Sequence, residues 1–182
     1  GLVVWCDGDW AGLYSLIGEK RSRTGILVTY DGMPIAWKSS FQQCKGTMAQ
    51  LGSGSNDRDQ ISTSSGESEV HAAADAAKLG LHIKYVCEEI GVPVPQMIPI
   101  HIDAGAAIGF ITNTCSIGRM KHIDLREAWG EQLRRKDCMR WIKAPGTENR
   151  ADTFTKILQG AEFQKGTAGL MVPLPNQGGM LE

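Results

Sequence analysis

The chain has no apolar run approaching the roughly 20 residues that cross a bilayer. Nothing near its start reads as a secretory signal. Cysteine is sparse: Cys6, Cys44, Cys87, Cys115 and Cys138 make an odd number and include no CxxC. Neither a disulfide framework nor a zinc ribbon is supported, and free thiols in a reducing compartment are expected. There is no excess of either charge. The net charge is -1, so any nucleic-acid partner must meet a local basic patch and not bulk charge. Internal repeats are absent too, and 182 residues read as one domain with room for a core. The first residue is Gly, not Met, and a strand pattern starts at once, which leads us to expect a piece of a longer protein.

What is present is a clear sequence of elements. "LVVWC" reads as a strand, and "GILVTYDGMPIAWKSS" as two strands about the Asp31-Gly32 hairpin signal. The stretch 41–62, rich in Gly, Ser, Asn, Asp and Gln, predicts a long flexible loop. "STSSGESEVHAAADAAKLGLHIKYVCEEIG" predicts a long helix stopped at Gly91. Then come a strand in "MIPIHID", a helix in "AGAAIGFITN", a polar helix in "KHIDLREAWGEQLRRKD", a strand in "MRWIKAPG" and a closing helix in "TENRADTFTKIL". The order β-β-β-α-β-α-α-β-α predicts an α/β domain over 1–159. Its mixed sheet has three antiparallel strands, followed by parallel ones, with helices packed on it. Residues 160–182 have many Gly and Pro and no clear period, and are expected to form a disordered tail.

Four acids sit at informative places in this order. Asp7 ends the first strand and Asp103 ends "IPIHID"; Glu67 opens the long helix and Asp152 the closing one. Each has an ordinary explanation. Ser64 and Glu67 fit a capping box, Asp103 suits a helix cap, and Asp152 favours a helix N-terminus electrostatically. Taken together they suggest more. Sites in open α/β sheets form beyond the carboxyl ends of parallel strands, and acids gathered there repel one another unless cations neutralise them. Hard oxygen ligands suit magnesium or manganese, and a pair of such ions serves in-line displacement at phosphorus.

The segments "CDGDWAG", "RSRTGILVTYDGMPIAWKS", "STSSGESEVHAAADAAK", "IHIDAGAAI", "MKHIDLRE" and "NRADTFTK" occur in an order that resembles the ribonuclease H domain of copia-type LTR retrotransposon polyproteins. The match runs from about Val3 to Leu158, and "KHID" and "ADTFTK" are its most specific parts. The resemblance implies a five-stranded ribonuclease H-like fold and a metal-dependent endonuclease that cuts the RNA strand of RNA–DNA hybrids during reverse transcription. It implies two Mg2+ ions, with Mn2+ as a substitute, held by the catalytic acids Asp7, Glu67, Asp103 and Asp152. By the same analogy Asp7 bridges the ions, Asp152 serves the nucleophile side, and Glu67 and Asp103 serve the leaving group. Glu67 is also placed to meet a 2′-hydroxyl. Asp9 and Glu69 are the near alternatives. The implied partner is the upstream reverse transcriptase region of the same polyprotein. The implied setting is intracellular, in a cytoplasmic virus-like particle or the nucleus. The rival expectation is a catalytically inactive module that binds hybrid or braces a reverse transcriptase.

The chain departs from the family pattern in three places. The loop "APGTENRAD" has no histidine, Ala104-Gly105 stands where the family often shows Asn-Gln, and the loop after Gln42 is long. Basic residues concentrate between Arg119 and Lys143, where cations outnumber acids by eight to four, and Arg134, Arg135 and Lys136 are candidate hybrid-binding residues. A smaller patch is Lys20, Arg21 and Arg23. For such runs a solvated helix face is the ordinary alternative.

Overall fold

Five segments rich in β-branched, aromatic and other apolar residues form strands here. They are β1 (Leu2–Asp9), β2 (Arg23–Tyr30), β3 (Met33–Phe41), β4 (Ile98–Ile102) and β5 (Met139–Lys143). In a computed structural model, which describes residues 1–12, 21–42, 65–112, 132–133, 135–168 and 170, they form one sheet in the order β3-β2-β1-β4-β5. β1 and β2 pair antiparallel, as do β2 and β3; β1–β4 and β4–β5 pair parallel. The expected mixed sheet is present. The β2–β3 turn has φ of 49° at Asp31 and 83° at Gly32, the mirror-image geometry that matches the right-handed twist of a hairpin.

Three α-helices occur among the described residues: α1 (Ser65–Glu89), α2 (Gly105–Ile111) and α3 (Gly160–Ala168). α1 covers one face of the sheet. Leu2, Val4, Cys6, Ile26, Val28, Ile98, Ile100, Ile102 and Met139 pack there against Ala73, Ala76 and Ala77. The small alanine side chains let the helix lie close to the large β-branched and leucine side chains, as dense core packing requires. Lys38 on β3 reaches Asp75 of α1 at 2.8 Å and ties the sheet edge to the helix. On the other face Trp5 stacks on His101, ring centroids 4.2 Å apart. No helix among the described residues is long and apolar enough to cross a membrane.

The chain after β5 differs from expectation. "TENRADTFTKIL" forms no α-helix; it makes two 3-10 turns, Gly146–Glu148 and Asp152–Phe154. The reason lies in Asn149, which is buried. Its side-chain amide donates to the Cys6 carbonyl at 2.9 Å, and its oxygen accepts the Ala151 N–H at 3.2 Å. Side chains that bond backbone in this way compete with the helical ladder. An α-helix appears later, in α3, at the start of the stretch read as a tail, and none of its residues is buried. Residues 43–62 of the expected loop, 121–131 and 134 of the expected polar helix over 121–137, and 169 and 171–182 of the tail lie outside the described residues.

Candidate active site

Asp7 lies near the carboxyl end of β1. It is only 5% exposed. The Thr155 hydroxyl donates a hydrogen bond to its Oδ2. Asp103 directly follows β4, the parallel neighbour of β1. Parallel pairing puts the two carboxyl ends side by side, so Asp7 and Asp103 meet, as the sequence order leads one to expect. Glu69 joins them from α1. The three residues each offer an oxygen, and those oxygens lie within 4.8 Å of one another.

The third carboxylate is that of Glu69 and not of Glu67, the residue preferred from sequence. Glu67 instead faces His71 one helical turn on, Oε1 to Nε2 3.8 Å. Two residues along an α-helix differ by about 200° in direction, so only one of them can face the strand ends. The rotation of α1 is set by contacts remote in sequence. Gly8 abuts the helix backbone so closely that a Cβ there would lie 2.7 Å from the Ser68 oxygen and 2.9 Å from the Glu69 Cα. The Gly8 N–H donates to Glu69 Oε2 at 3.1 Å. Gln42, buried at the end of β3, donates to the Ser68 carbonyl at 2.8 Å and to Thr24 Oγ1 at 3.0 Å. A glycine is what the close approach requires at position 8. "DGD" thus answers to a contact as well as to a turn.

The cluster is electrostatically loaded. Burial raises the Asp7 carboxyl to about 6, with repulsion from Asp103 and Asp152 adding to it and the Thr155 hydrogen bond and Lys156 opposing. Burial, then Asp7 and Asp103, push Glu69 up to about 9. The neighbouring Cys6 thiol is held well above its ordinary range by burial and by the same acids. Oδ1 of Asp103 is buried with no hydrogen-bond partner among the described residues. Hard oxygen donors, mutual repulsion and an orphaned carboxylate oxygen together fit a divalent cation.

Asp152 stands at the rim. Its carboxylate is outside the close triad and binds Lys156, Oδ1 to Nζ 2.6 Å. Its charge nonetheless reaches Asp7. Asp9, one of the near alternatives, lies outside the triad too, with Lys156 and Arg23 as the cations that act on it. The basic candidates fall elsewhere. Arg134 lies outside the described residues. Arg135 and Lys136 are exposed just before the N-terminal end of β5, whereas the acids gather at the carboxyl ends of the strands parallel to it. Five strand residues, about 17 Å, separate that patch from the acid end of the sheet. Among the described residues Lys156 acts on Asp7, Arg23 acts on Asp9, and Lys143 lies beside Gly105, where a Cβ would come within 3.5 Å of its Nζ. Thr155 and Lys156 carried a signal in the sequence, the end of "ADTFTK", but reading acids alone passed over them.

No model of a known protein family matches the chain. Over 163 residues, 90% of the chain, it is 28% identical to a retrovirus-related Pol polyprotein from transposon TNT 1-94 of Nicotiana tabacum. Over 185 aligned positions, 99% of the chain, it is 26% identical to a retrovirus-related Pol polyprotein from transposon RE2 of Arabidopsis thaliana. The chain spans 11% of the length of each relative. Among solved structures it resembles LC11-RNase H1, isolated from compost by a metagenomic approach. The TM-score is 0.55 at 12% identity, covering 84% of this chain and 91% of that one. The same protein in complex with RNA/DNA hybrid gives 0.56 at 11% identity, covering 85% and 93%. The N-terminal RNase H domain of a Mycobacterium tuberculosis protein gives 0.52 at 12%, covering 92% and 96%. The homologues are retrovirus-related Pol polyproteins of plant transposons, and the fold is that of RNase H domains.

Proposed function

We propose that this RNase H-fold relative of plant-transposon Pol polyproteins is a divalent-metal-dependent endonuclease that hydrolyses the RNA strand of RNA–DNA hybrids. We further propose that it works beside the reverse transcriptase region of a common polyprotein, inside the cell. The observation that carries this reading is the triad in which Glu69 of α1 meets Asp7 and Asp103 at the carboxyl ends of neighbouring parallel strands. These residues would hold the metal, Mg2+ or Mn2+ as a pair of ions, with Asp152 as the fourth acid and Glu69 in the place expected of Glu67. When bound, such ions supply activation of water and stabilisation of the departing oxygen at the scissile phosphate.

The chain's own groups do the positioning. The Thr155 hydroxyl fixes one oxygen of Asp7, and the Gly8 amide fixes one oxygen of Glu69. Both bonds act on the charged forms and so hold the carboxylates ready for a cation. Lys143, which pairs with Ile102 at the end of β4, and Arg23, beside Asp9, lie at this end of the sheet and are the better candidates for backbone phosphates of the hybrid. Arg135 and Lys136 could meet a duplex only where it extends past the far end of the sheet. The rival reading, a module that binds hybrid or braces a reverse transcriptase without cutting, draws on Ala104-Gly105, which set no polar side chain beside Asp103.

Cleavage of a labelled RNA–DNA hybrid, with Mg2+ and with chelator, separates the two. The nuclease reading expects metal-dependent cutting that Asp103→Asn and Glu69→Gln abolish, with duplex DNA left intact. A folded chain that binds hybrid yet cuts with neither Mg2+ nor Mn2+ establishes the inactive module.

A further inference from the structure

We infer that Lys156 is a positioning residue for the acid site: its ammonium holds the Asp152 carboxylate at the rim, and a cation that engages Asp152 must first displace it. The inference rests on the metal-dependent reading above.

The geometry is specific. Lys156 Nζ lies 2.6 Å from Asp152 Oδ1. The preceding residue, Thr155, donates its hydroxyl to Asp7. Two adjacent side chains of one short segment thus secure two acids of the site. The segment itself is anchored, since the N–H groups of Thr155 and Lys156 donate to the Asp152 carbonyl at 3.2 and 3.3 Å. The positive charge of Lys156 is felt at Asp7 and Asp9 as well as at Asp152.

Two consequences follow from the charges. Asp7, Glu69 and Asp103 keep their repulsion, because none of them has an ion-pair partner of comparable closeness among the described residues. A first cation is therefore drawn to them. Asp152 is already neutralised, so a second cation on its side gains only what remains after the ammonium is expelled. Expulsion is feasible because the pair is open: Lys156 is 55% and Asp152 32% exposed, and both line a cavity of about 490 Å³. Arg150, Glu148, Glu162 and Lys165 are the other charged groups on that cavity. They are mixed in sign and do not replace Lys156 as a directed partner for Asp152.

Calorimetric titration of the 182-residue chain with Mg2+ and with Mn2+ tests this without any activity readout. Lys156→Met removes the charge and keeps the stem. It should tighten the weaker of two binding events by about three- to fivefold, the scale of an exposed ion pair, and change the tighter one by less. A single event in the wild type that becomes two in the variant supports the same conclusion. Lys156→Arg should restore wild-type binding. In an Asp152→Asn background, Lys156→Met should change binding by less than about twofold, because the close ion pair through which most of its effect runs is gone. Where methionine impairs folding, Lys156→Gln carries the same expectation. Unchanged or weaker binding in the variant, or an equal change in the Asp152→Asn background, overturns the inference. If the wild type binds neither ion, the metal-dependent reading itself falls, and this inference with it.

Discussion

Replacing Glu69 by Gln in the metal-free protein should make it more stable, by a margin that opens above about pH 4.5 and grows with pH. Glu69 has its carboxyl raised from an ordinary 4.5 to about 9 by burial and by Asp7 and Asp103. A carboxyl whose folded pKa is raised makes the folded state the better proton binder. Stability is then undiminished below the unfolded pKa, and it declines as pH rises from there toward the folded pKa. Between about pH 4.5 and 7.5 the unscreened loss is about 4 kcal/mol, at about 1.4 kcal/mol per unit. Water at the open side of the cluster screens this to about 1–2 kcal/mol. Gln has the same shape, and its oxygen can still accept the Gly8 N–H that Glu69 accepts at 3.1 Å. Thermal unfolding in chelator at about pH 7.5 should thus show the variant melting about 3–6 °C higher, by the usual scaling for a chain of this size. At about pH 4 the two should coincide. Saturating Mg2+ should stabilise the wild type more than the variant and narrow or reverse the gap. A variant that melts lower than wild type at neutral pH in chelator, or by the same margin at both pH values, would refute the picture of a mutually repelling cluster.

Glu67→Gln, by contrast, should change hybrid cleavage by less than about threefold, whereas Asp103→Asn should abolish it with the fold retained; equal losses from both in the cleavage assay would return Glu67 to the site. Gly8→Ala should cost about 1–3 kcal/mol, because its Cβ would lie 2.7 Å from backbone of α1 that cannot give way, and chemical denaturation measures it. Thr155→Val removes the hydroxyl that donates to Asp7 and holds its pKa down. Stability should fall by about 1–2 kcal/mol above about pH 6, where Asp7 is ionised, and by less in acid, read from melts across that range. Charge reversal at Arg135 and Lys136 should leave the cleavage of a short hybrid seated at the acid end unchanged, while reversal at Lys143 should weaken its binding, as measured by titration at fixed salt.

Much of the fold is local in origin, and so it was legible in the chain itself. Runs of β-prone apolar residues mark the strands, Asp31-Gly32 carries the backbone signs of a hairpin turn, and an alanine-rich run without proline makes α1. The meeting of Asp7 and Asp103 was legible too, because parallel neighbours must bring their carboxyl ends together. The stretch from Gly146 to Leu158 was not. Its composition suits a helix, but Asn149 bonds the Cys6 carbonyl, 143 residues away, and the chain turns around that contact.

Glu67 and Glu69 mark the boundary between the two kinds of knowledge. Sequence alone determines that an acid enters from the first turns of α1, since both candidates are there. Which one faces Asp7 depends on the rotation of the helix about its axis. That rotation is decided by Gly8 against Ser68 and by Gln42 on the Ser68 carbonyl, contacts that exist only when distant segments have packed. The basic patch follows the same logic. Arg135 and Lys136 are close in sequence to the acids of the last turns, but the direction of β5 carries them to the other end of the sheet. Local patterns determined which elements form and which acids are available. Only tertiary packing, through the phase of one helix and the direction of one strand, decided which charges share a site.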